Sequence, residues 1–208
     1  MPDLAWESTL RAEGFRLIAG IDEAGRGPLA GPVSAAAVIL PLDFEHSVLT
    51  DSKKLSPKRR DGLYEEITAN DAIVWCSARA TVEEIDEINI LRATHLAMRR
   101  AFEGLSAKAD AAVIDGLRLP EFPVHHVGVV KGDSASLSIA AASIIAKVER
   151  DREMLLHAEK YPEYGFEKHK GYGTKYHLTQ LERYGPCPIH RQTFRPIAQL
   201  SLRFDAEN

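Results

Sequence analysis

Two adjacent acids join an apolar run to a glycine-rich turn in the stretch Leu17-Ile-Ala-Gly-Ile-Asp22-Glu23-Ala-Gly25-Arg26-Gly27-Pro-Leu-Ala-Gly-Pro32. Side chains alternate between the two faces of an extended strand, so the carboxylates of Asp22 and Glu23 should point apart. We therefore predict that the strand stops before Asp22 and that the glycines let the backbone bend. Carboxylates that converge there repel each other unless a cation lies between them, and such hard oxygen ligands suit Mg²⁺ or Mn²⁺. The alternative is a solvated corner with two unrelated surface acids.

Chain length and composition indicate a globular protein. The chain has 208 residues, of which 45% are hydrophobic and 27% charged, enough for one well-buried domain with a small appendage. We predict an α/β domain over residues 1–160 and a C-terminal helical extension over residues 161–208 that packs on it. The acidic N-terminus has no signal-peptide pattern, and no apolar run approaches the length of about eighteen residues that a membrane span needs. We expect a cytoplasmic, monomeric protein with no membrane partner.

The cysteines and the charges leave alternatives open. Cys76 and Cys187 do not form a disulfide framework. Cys187 begins a Cys-Pro-Ile-His190 sequence that could ligate zinc, but the sequence offers no second ligand pair for a four-ligand site. The net charge is −4, so a nucleic-acid binder would have to concentrate its positive charge on one face. Two basic runs, residues 53–60 and 168–175, could supply that face or could be ordinary solvated surface.

Apolar patterning and turn residues predict an α/β layered fold with a C-terminal helical extension. The predicted strands are Arg16–Ile21, Val33–Leu40, Ala72–Ala80, Ala111–Ile114 and Val124–Val130. The predicted helices run from Ser56-Pro57 to about Ala69, from Thr81, from Asn89 to about Phe102, from Asp133 or Ser134 to about Lys160, from Thr174 to Tyr184, and onward from Pro196.

Two further acids follow apolar strands in the same way as the first pair. Asp115 follows the fourth predicted strand, and Asp133 follows the fifth after a Lys-Gly turn. In open α/β sheets the chemistry collects beyond the strand ends, so we predict that all four acids share a divalent-metal site. The alternatives are a turn former for Asp115 and a helix cap for Asp133. Carboxylates without a histidine cluster suit two-metal hydrolysis of a phosphodiester.

At these residues the chain resembles the type 2 ribonuclease H family, specifically its bacterial ribonuclease HII branch. The similarity extends from about Ile18 to Pro196. It rests on Gly20-Ile-Asp-Glu-Ala-Gly-Arg-Gly-Pro-Leu-Ala-Gly-Pro32, Asp51-Ser-Lys-Lys-Leu55, Ile114-Asp-Gly116, Lys131-Gly-Asp-Ser134, Ala141-Ala-Ser-Ile-Ile-Ala-Lys147 and His169-Lys-Gly-Tyr-Gly-Thr174. The resemblance implies a ribonuclease H-like fold, a five-stranded mixed sheet flanked by helices.

The resemblance also implies roles for individual residues. The implied catalytic and metal-binding set, with Mg²⁺ or Mn²⁺ as the cofactor, is Asp22, Glu23, Asp115 and Asp133. The implied substrate contacts are Gly25, Arg26 and Gly27 on the ribose 2′-hydroxyl of an RNA–DNA junction, Tyr172 on the following deoxyribose, and Lys53 and Lys170 on phosphates. The 2′-hydroxyl is what distinguishes RNA from DNA. Without the resemblance, Tyr172 would be interpreted as a partly buried loop aromatic.

The implied activity is endonucleolytic hydrolysis on the 5′ side of a ribonucleotide within a duplex, which leaves 3′-hydroxyl and 5′-phosphate ends. The implied substrates are RNA–DNA hybrids and single ribonucleotides embedded in DNA, in replication and repair. One alternative is a non-catalytic hybrid-binding module, against which the four acids argue. Another is a metal-dependent phosphatase or nucleotide hydrolase, against which the basic runs and the Gly-Arg-Gly turn argue.

A possible partner peptide stands near the C-terminus, where the chain reads Gln199-Leu-Ser-Leu-Arg-Phe204. It resembles the Gln-Leu-x-Leu-x-Phe peptide with which bacterial replication and repair proteins bind the sliding clamp. Leu202 and Phe204 would fill a hydrophobic groove, and Gln199 would fix the register. The alternative is that Leu200 and Phe204, four residues apart, pack a last helix onto the body.

Overall fold

A computed structural model describes the backbone of residues 1–206 and the side chains of residues 1–200. Its five strands are β1 (Ile18–Ala24), β2 (Val33–Ile39), β3 (Val74–Ala80), β4 (Ala111–Asp115) and β5 (His125–Val129). They form one sheet in the order β3-β2-β1-β4-β5. β1 pairs antiparallel with β2 and parallel with β4, so the sheet is mixed. The predicted five-stranded mixed sheet is confirmed.

Seven helices surround the sheet in the described part of the chain. They are α1 (Ala5–Ala12), α2 (Pro57–Thr68), α3 (Val82–Glu103), α4 (Leu137–Lys160), α5 (Phe166–His169), α6 (Lys175–Tyr184) and α7 (Arg195–Ala206). Three short 3-10 turns cover Ser52–Lys54, Gly132–Ser134 and Pro162–Tyr164. Within residues 1–206, none of the helices combines the length and the apolar character that crossing a bilayer requires.

Both faces of the central strands are covered by helices. In β2, Val33, Ala35 and Ala37 pack in the cluster around α3, whereas Ala36 and Val38 pack in the cluster around α4 and α2. This double burial explains why the strand is apolar throughout instead of alternating. α4 approaches β1 so closely that a Cβ on Gly20 would lie 2.2 Å from the backbone carbon of Ser138.

Side-chain caps form at the predicted starts of α2 and α3. The hydroxyl of Ser56 accepts from the Arg59 amide at 3.3 Å, and Thr81 forms the predicted capping box with Glu84. Asn89 has a φ of 69° inside α3, and its side chain accepts from the amide of Leu91. This kink confirms that a second helical segment begins at Asn89.

Two boundary predictions next to the acids are wrong. β1 does not stop at Ile21 but continues to Ala24, because β2 keeps pairing with it up to Ser34. α4 begins at Leu137 with Ser136 as its cap, because the Ser136 hydroxyl accepts from the Ile139 amide. Neither Asp133 nor Ser134 caps this helix, since both lie in the preceding 3-10 turn.

The ends of the chain pack on the same body. α1, which the pattern does not predict, inserts Glu7 against the start of α4, where its carboxylate accepts from the hydroxyls of Ser136 and Ser138. The C-terminal helices share an apolar cluster with Met154 of α4 and with Leu29 and Ala30 of the glycine-rich loop. The division of the chain at residue 160 stays a prediction.

Candidate metal and substrate site

Three of the predicted acids converge at one edge of the sheet. Asp22, Glu23 and Asp115 each offer a carboxylate oxygen, and these three oxygens lie within 4.8 Å of one another. The pairing of β1 with β4 ends at Ile21 and Ile114, so β1 projects beyond its neighbour. Asp115 ends β4 one residue beyond Ile114, so the pairing register places it beside Asp22, one residue beyond Ile21.

Hydrogen bonds orient the three carboxylates. The amide of Glu23 donates to Oδ1 of Asp22 at 2.6 Å, and the amide of Gly132 donates to Oδ1 of Asp115 at 2.7 Å. Arg26 donates to Oε1 of Glu23 at 3.3 Å. The glycine-rich turns that follow β1 and β5 therefore act directly on the acids.

The cluster is electrostatically strained. Burial raises the pKa of Asp22 well above its usual value, and the charges of Glu23 and Asp115 raise it further. Burial also raises the pKa of Glu23, although the nearby Arg26 opposes that shift. Like charges held this close indicate a place for a cation.

Asp133 lies beside this trio without belonging to its tight group. Burial raises the pKa of Asp133, and the charges of Asp51 and Asp115 raise it further. Asp51 is thus the largest charged influence on Asp133. The sequence prediction did not include Asp51, although it opens the quoted Asp-Ser-Lys-Lys-Leu motif. Its carboxylate accepts from the Lys53 amide at 2.9 Å and caps the 3-10 turn there.

Lys53 is an exposed cation beside the site. Burial opposes its charge, but the carboxylates of Asp22 and Asp51 outweigh that effect, so the pKa of Lys53 is raised. The neighbouring Lys54 donates from Nζ to the hydroxyl of Ser134 at 3.0 Å. The first basic run thus contacts the 3-10 turn that contains Asp133.

The glycine-arginine-glycine turn and Tyr172 face each other. Gly25 is buried with a φ of +98°, whereas Arg26 and Gly27 are exposed. A Cβ on Gly27 would lie 3.6 Å from Cε1 of Tyr172, and Tyr172 is 44% exposed. Tyr172 is therefore an accessible ring beside the turn, not a mainly buried one.

The two basic runs meet at one cleft. Arg60 from the first run and Lys168 and Lys170 from the second line a cleft of about 620 Å³, together with Tyr172. Nζ of Lys170 donates to the carbonyl of Glu167. The positive residues of two distant segments therefore share one surface.

The remaining predicted residues lie near the C-terminus. Gln199 is exposed, and Leu200 is half-buried against the apolar cluster of the C-terminal helices. The side chains of Leu202 and Phe204 lie outside the described residues. Nδ1 of His190 lies 2.9 Å from the amide nitrogen of its motif partner Cys187, so this histidine serves the local backbone.

A divalent cation fits this donor set. Asp22, Glu23 and Asp115 present hard oxygen atoms, and Arg26 and Lys53 are the cations that act on them. Oxygen ligands of this kind are those of magnesium and manganese sites. The mixed sheet and its carboxylate cluster together define a metal-dependent hydrolase with a ribonuclease H-like fold.

Comparisons with known proteins specify the family. A family model described as "Ribonuclease HII" matches residues 19–197. Ribonuclease HII of Coxiella burnetii (strain RSA 493 / Nine Mile phase I) is 55% identical over 186 residues, which are 89% of this chain and 92% of the relative. The crystal structure of ribonuclease H2 from Pyrococcus horikoshii OT3 matches with a TM-score of 0.75 and 27% identity, over 91% of this chain and 99% of that chain.

A second solved structure is the PCNA:RNase HII complex from Archaeoglobus fulgidus. It matches with a TM-score of 0.70 and 28% identity, over 86% of this chain and 95% of that chain. The chain belongs to the ribonuclease HII family.

Proposed function

We propose that this protein is an endonuclease that hydrolyses the RNA strand of RNA–DNA hybrids and cuts on the 5′ side of single ribonucleotides embedded in duplex DNA. The proposed products carry 3′-hydroxyl and 5′-phosphate ends, and the proposed role is in replication and repair. The observation that carries the proposal is the convergence of the buried Asp22 with the half-buried Glu23 and Asp115, beside a turn that exposes Arg26 and Gly27, in a member of the ribonuclease HII family.

We propose that the three carboxylates, with Asp133 beside them, hold two Mg²⁺ or Mn²⁺ ions when substrate is bound. Such ions supply an activated water and stabilise the leaving oxygen of a phosphodiester. The protein contributes fixed ligand directions, since amide donors hold the carboxylates of Asp22 and Asp115. Arg26 donates a hydrogen bond to Glu23, and the remaining N–H groups of its guanidinium can bind a phosphate oxygen.

Substrate selection is assigned to the turn and the ring opposite it. A Cβ on Gly27 would be in van der Waals contact with the Tyr172 ring, so the exposed turn and the ring form one continuous surface, and backbone groups of the turn can bond a 2′-hydroxyl. Lys53, near the acids, and Lys170, in the cleft with Tyr172, are assigned to phosphates of the same duplex. Arg60 and Lys168 line the same cleft as Tyr172 and can bind further phosphates.

A DNA duplex with one labelled ribonucleotide tests this function. The wild-type protein should nick it with Mg²⁺ or Mn²⁺ but not with EDTA, and Asp115→Asn should abolish nicking. Glu13→Gln, an exposed acid at the end of α1, is the matched control and should nick normally. Extension of the upstream product by a DNA polymerase reports the 3′-hydroxyl. Tight binding by the wild-type protein without nicking would establish the hybrid-binding module instead.

We further propose that the C-terminal segment, residues 199–204, binds a bacterial sliding clamp. The related Archaeoglobus protein was solved in complex with PCNA. In this chain the segment lies within α7 and Gln199 is exposed, whereas Leu200 packs on the body. If Leu200 also takes part in clamp binding, the last helix has to release it from the body.

A pull-down with purified clamp tests the segment. The intact chain should be retained, whereas a chain lacking residues 199–208 should not. Gln199→Ala should weaken retention without disturbing the packing of Leu200. Equal retention of the intact and shortened chains would contradict the proposal. Light scattering during the same purification checks the predicted monomer.

A further inference from the structure

Two arginine side chains lie in the interior of the protein. Arg150 in α4 is 1% exposed, and Arg191, between α6 and α7, is 0% exposed. None of the ion pairs in the part of the chain that the structure describes includes either guanidinium. Burial lowers the pKa of Arg191 to about 9, and the charge of Arg150 contributes to that shift. A buried cation is tolerated only where its hydrogen-bonding partners are fixed.

All the acceptors of these two guanidiniums are backbone carbonyl oxygens. Arg191 donates to the carbonyls of Gly25 (2.6 Å), Arg26 (2.9 Å), Gly31 (3.0 Å) and Pro32 (3.2 Å). Arg150 donates to the carbonyls of Pro32 (3.0 Å), Lys170 (3.0 Å) and Ala30 (3.1 Å). The two side chains thus hold the loop of residues 25–32 from within, over most of its length.

The bonds from Arg191 set the direction of the neighbouring amides. The peptide bonds are trans, so the N–H of a residue points opposite to the carbonyl of the residue before it. The carbonyls of Gly25 and Arg26 point inward to Arg191. The N–H groups of Arg26 and Gly27, the two exposed residues of the turn, therefore point away from the interior. Successive amides turned to one side form a concave donor site for oxygen atoms.

Arg150 joins this loop to the segment that carries Tyr172. Its guanidinium bonds both the Ala30 carbonyl and the Lys170 carbonyl. A Cβ on Gly25 would lie 2.0 Å from Nε of Arg150, so this glycine is required by the buried arginine. The substrate-facing glycine of the turn is Gly27, opposite the Tyr172 ring.

We propose that Arg191 and Arg150 are positioning residues of the substrate site. Arg191 aims the amides of Arg26 and Gly27 at the ribose, and Arg150 sets the distance between Gly27 and Tyr172. The inference rests on the proposed function, and it adds which residues hold the turn of residues 25–27 in place. Lysine cannot replace either side chain, because an ammonium group lacks the planar fork that reaches several carbonyls at once.

Variants of Arg191 test the inference. Arg191→Lys and Arg191→Ala should lower kcat on a duplex with one ribonucleotide by about 10- to 100-fold, since small displacements of positioning groups have effects of that size. Amide hydrogen exchange in residues 25–32 should become faster in both variants. Added guanidinium ion, but not urea, should restore part of the kcat of Arg191→Ala. The control Ile197→Ala, in the adjacent apolar cluster, should lower thermal stability without these effects.

The outcomes separate this inference from the proposed function. If the wild-type protein nicks and Arg191→Lys retains the kcat of the Ile197→Ala control, the inference is overturned and the function stands. If the wild-type protein does not nick, the function falls, and the exchange of residues 25–32 decides: unchanged exchange in Arg191→Lys overturns the inference, and faster exchange supports the positioning role. Should Arg191→Ala fail to fold, Arg191→Lys and Arg150→Lys provide the same comparison.

Discussion

Two groups of buried polar side chains in this protein differ in whether the fold itself supplies their partners. At the sheet edge, Asp22 is 6% exposed, and its closest charged neighbours are other carboxylates. Around the C-terminal helices, Arg150, Arg191, His177 and His190 are buried, and each has hydrogen-bond partners within the fold.

The difference shows which group serves chemistry and which serves position. Buried like charges are unfavourable unless an external cation joins them, so the acid cluster is complete only with a ligand. The buried arginines and histidines of the second group have their hydrogen-bond partners within the fold and need no ligand. Functional sites are where proteins retain such unfavourable charge, whereas satisfied networks hold structure in place.

Replacing one acid of the cluster should have the largest effect on nicking, and it tests the contrast between the two groups most directly. Asp22→Asn should lower nicking by about 10²–10³-fold, because a fixed electrostatic group at the reacting phosphate is lost. In EDTA the same variant should raise the free energy of unfolding, because the repulsion among the carboxylates is relieved. Nuclease assays and urea unfolding measure the two quantities.

A matched aspartate supplies the control. Asp110, just before β4, accepts from the amides of Arg16 and Leu17 and is thus satisfied within the fold. Asp110→Asn should leave nicking unchanged and lower stability slightly. If both variants lose stability, the acid cluster is not the strained group described above.

Metal binding should sharpen the same contrast. Mn²⁺ or Mg²⁺ at about 100 times its Kd should stabilise the wild-type protein by about 2.7 kcal/mol, or a rise in Tm of about 5–10 °C. Asp22→Asn should lose most of that rise, and Asp110→Asn should keep it. Thermal scans with each metal and with EDTA measure this, and an equal rise in all three proteins would disprove the assigned ligands.

The sequence predicted the acid cluster correctly but not the reason for its convergence. A strand end before Asp22 was expected because side chains alternate along a strand. The strand in fact continues to Ala24, and its register with β4 places Asp115 beside Asp22. The extent of a long-range pairing cannot be obtained from the local pattern. The start of α4 was placed too early, at Asp133 or Ser134, because Ser136 is an equally good cap and the local pattern did not favour it.

The buried arginines illustrate a second limit. Arg150 lies on a row of α4 with Ala146, Met154 and Ala158, which are all buried. Helical spacing could therefore have identified it as a buried cation. Arg191 lies in an irregular segment without periodicity, and only the folded chain brings it beneath the Gly25 carbonyl.

Tyr172 lies between the two groups and should show an intermediate effect. Its carbonyl lies 3.0 Å from Nδ1 of His177, and its ring faces the turn at Gly27. Tyr172→Ala should lower kcat/KM on a single-ribonucleotide duplex about tenfold through lost ring contact, and Tyr172→Phe should retain most activity. Tyr176→Ala, a similarly exposed tyrosine in α6, is the control. Equal losses in the Phe and Ala variants would show that the hydroxyl, not the ring, matters.

The smallest effect concerns the pH dependence of stability, in which the two groups should differ in sign. His177 and His190 face each other with their Nε2 atoms 2.9 Å apart, and His169 stacks on His177 at 4.5 Å. Burial lowers the pKa of His177 to about 4 and that of His190 to about 3. Tyr164 and Cys187 border the same rings, and burial raises the pKa of both, so neither supplies a negative charge at neutral pH.

Below an ordinary histidine pKa of about 6.5, the unfolded chain binds protons that these folded rings exclude. The free energy of unfolding should therefore fall with decreasing pH, by up to about 1.4 kcal/mol per pH unit for each ring, until the folded pKa values are reached. The raised pKa of Asp22 has the opposite sign in EDTA, since its folded form takes up a proton first. Urea unfolding between pH 7.5 and 5 should show a shallower slope in His177→Gln than in His125→Gln, a surface histidine. Identical slopes in these two variants would assign the pH dependence to groups outside the histidine pair.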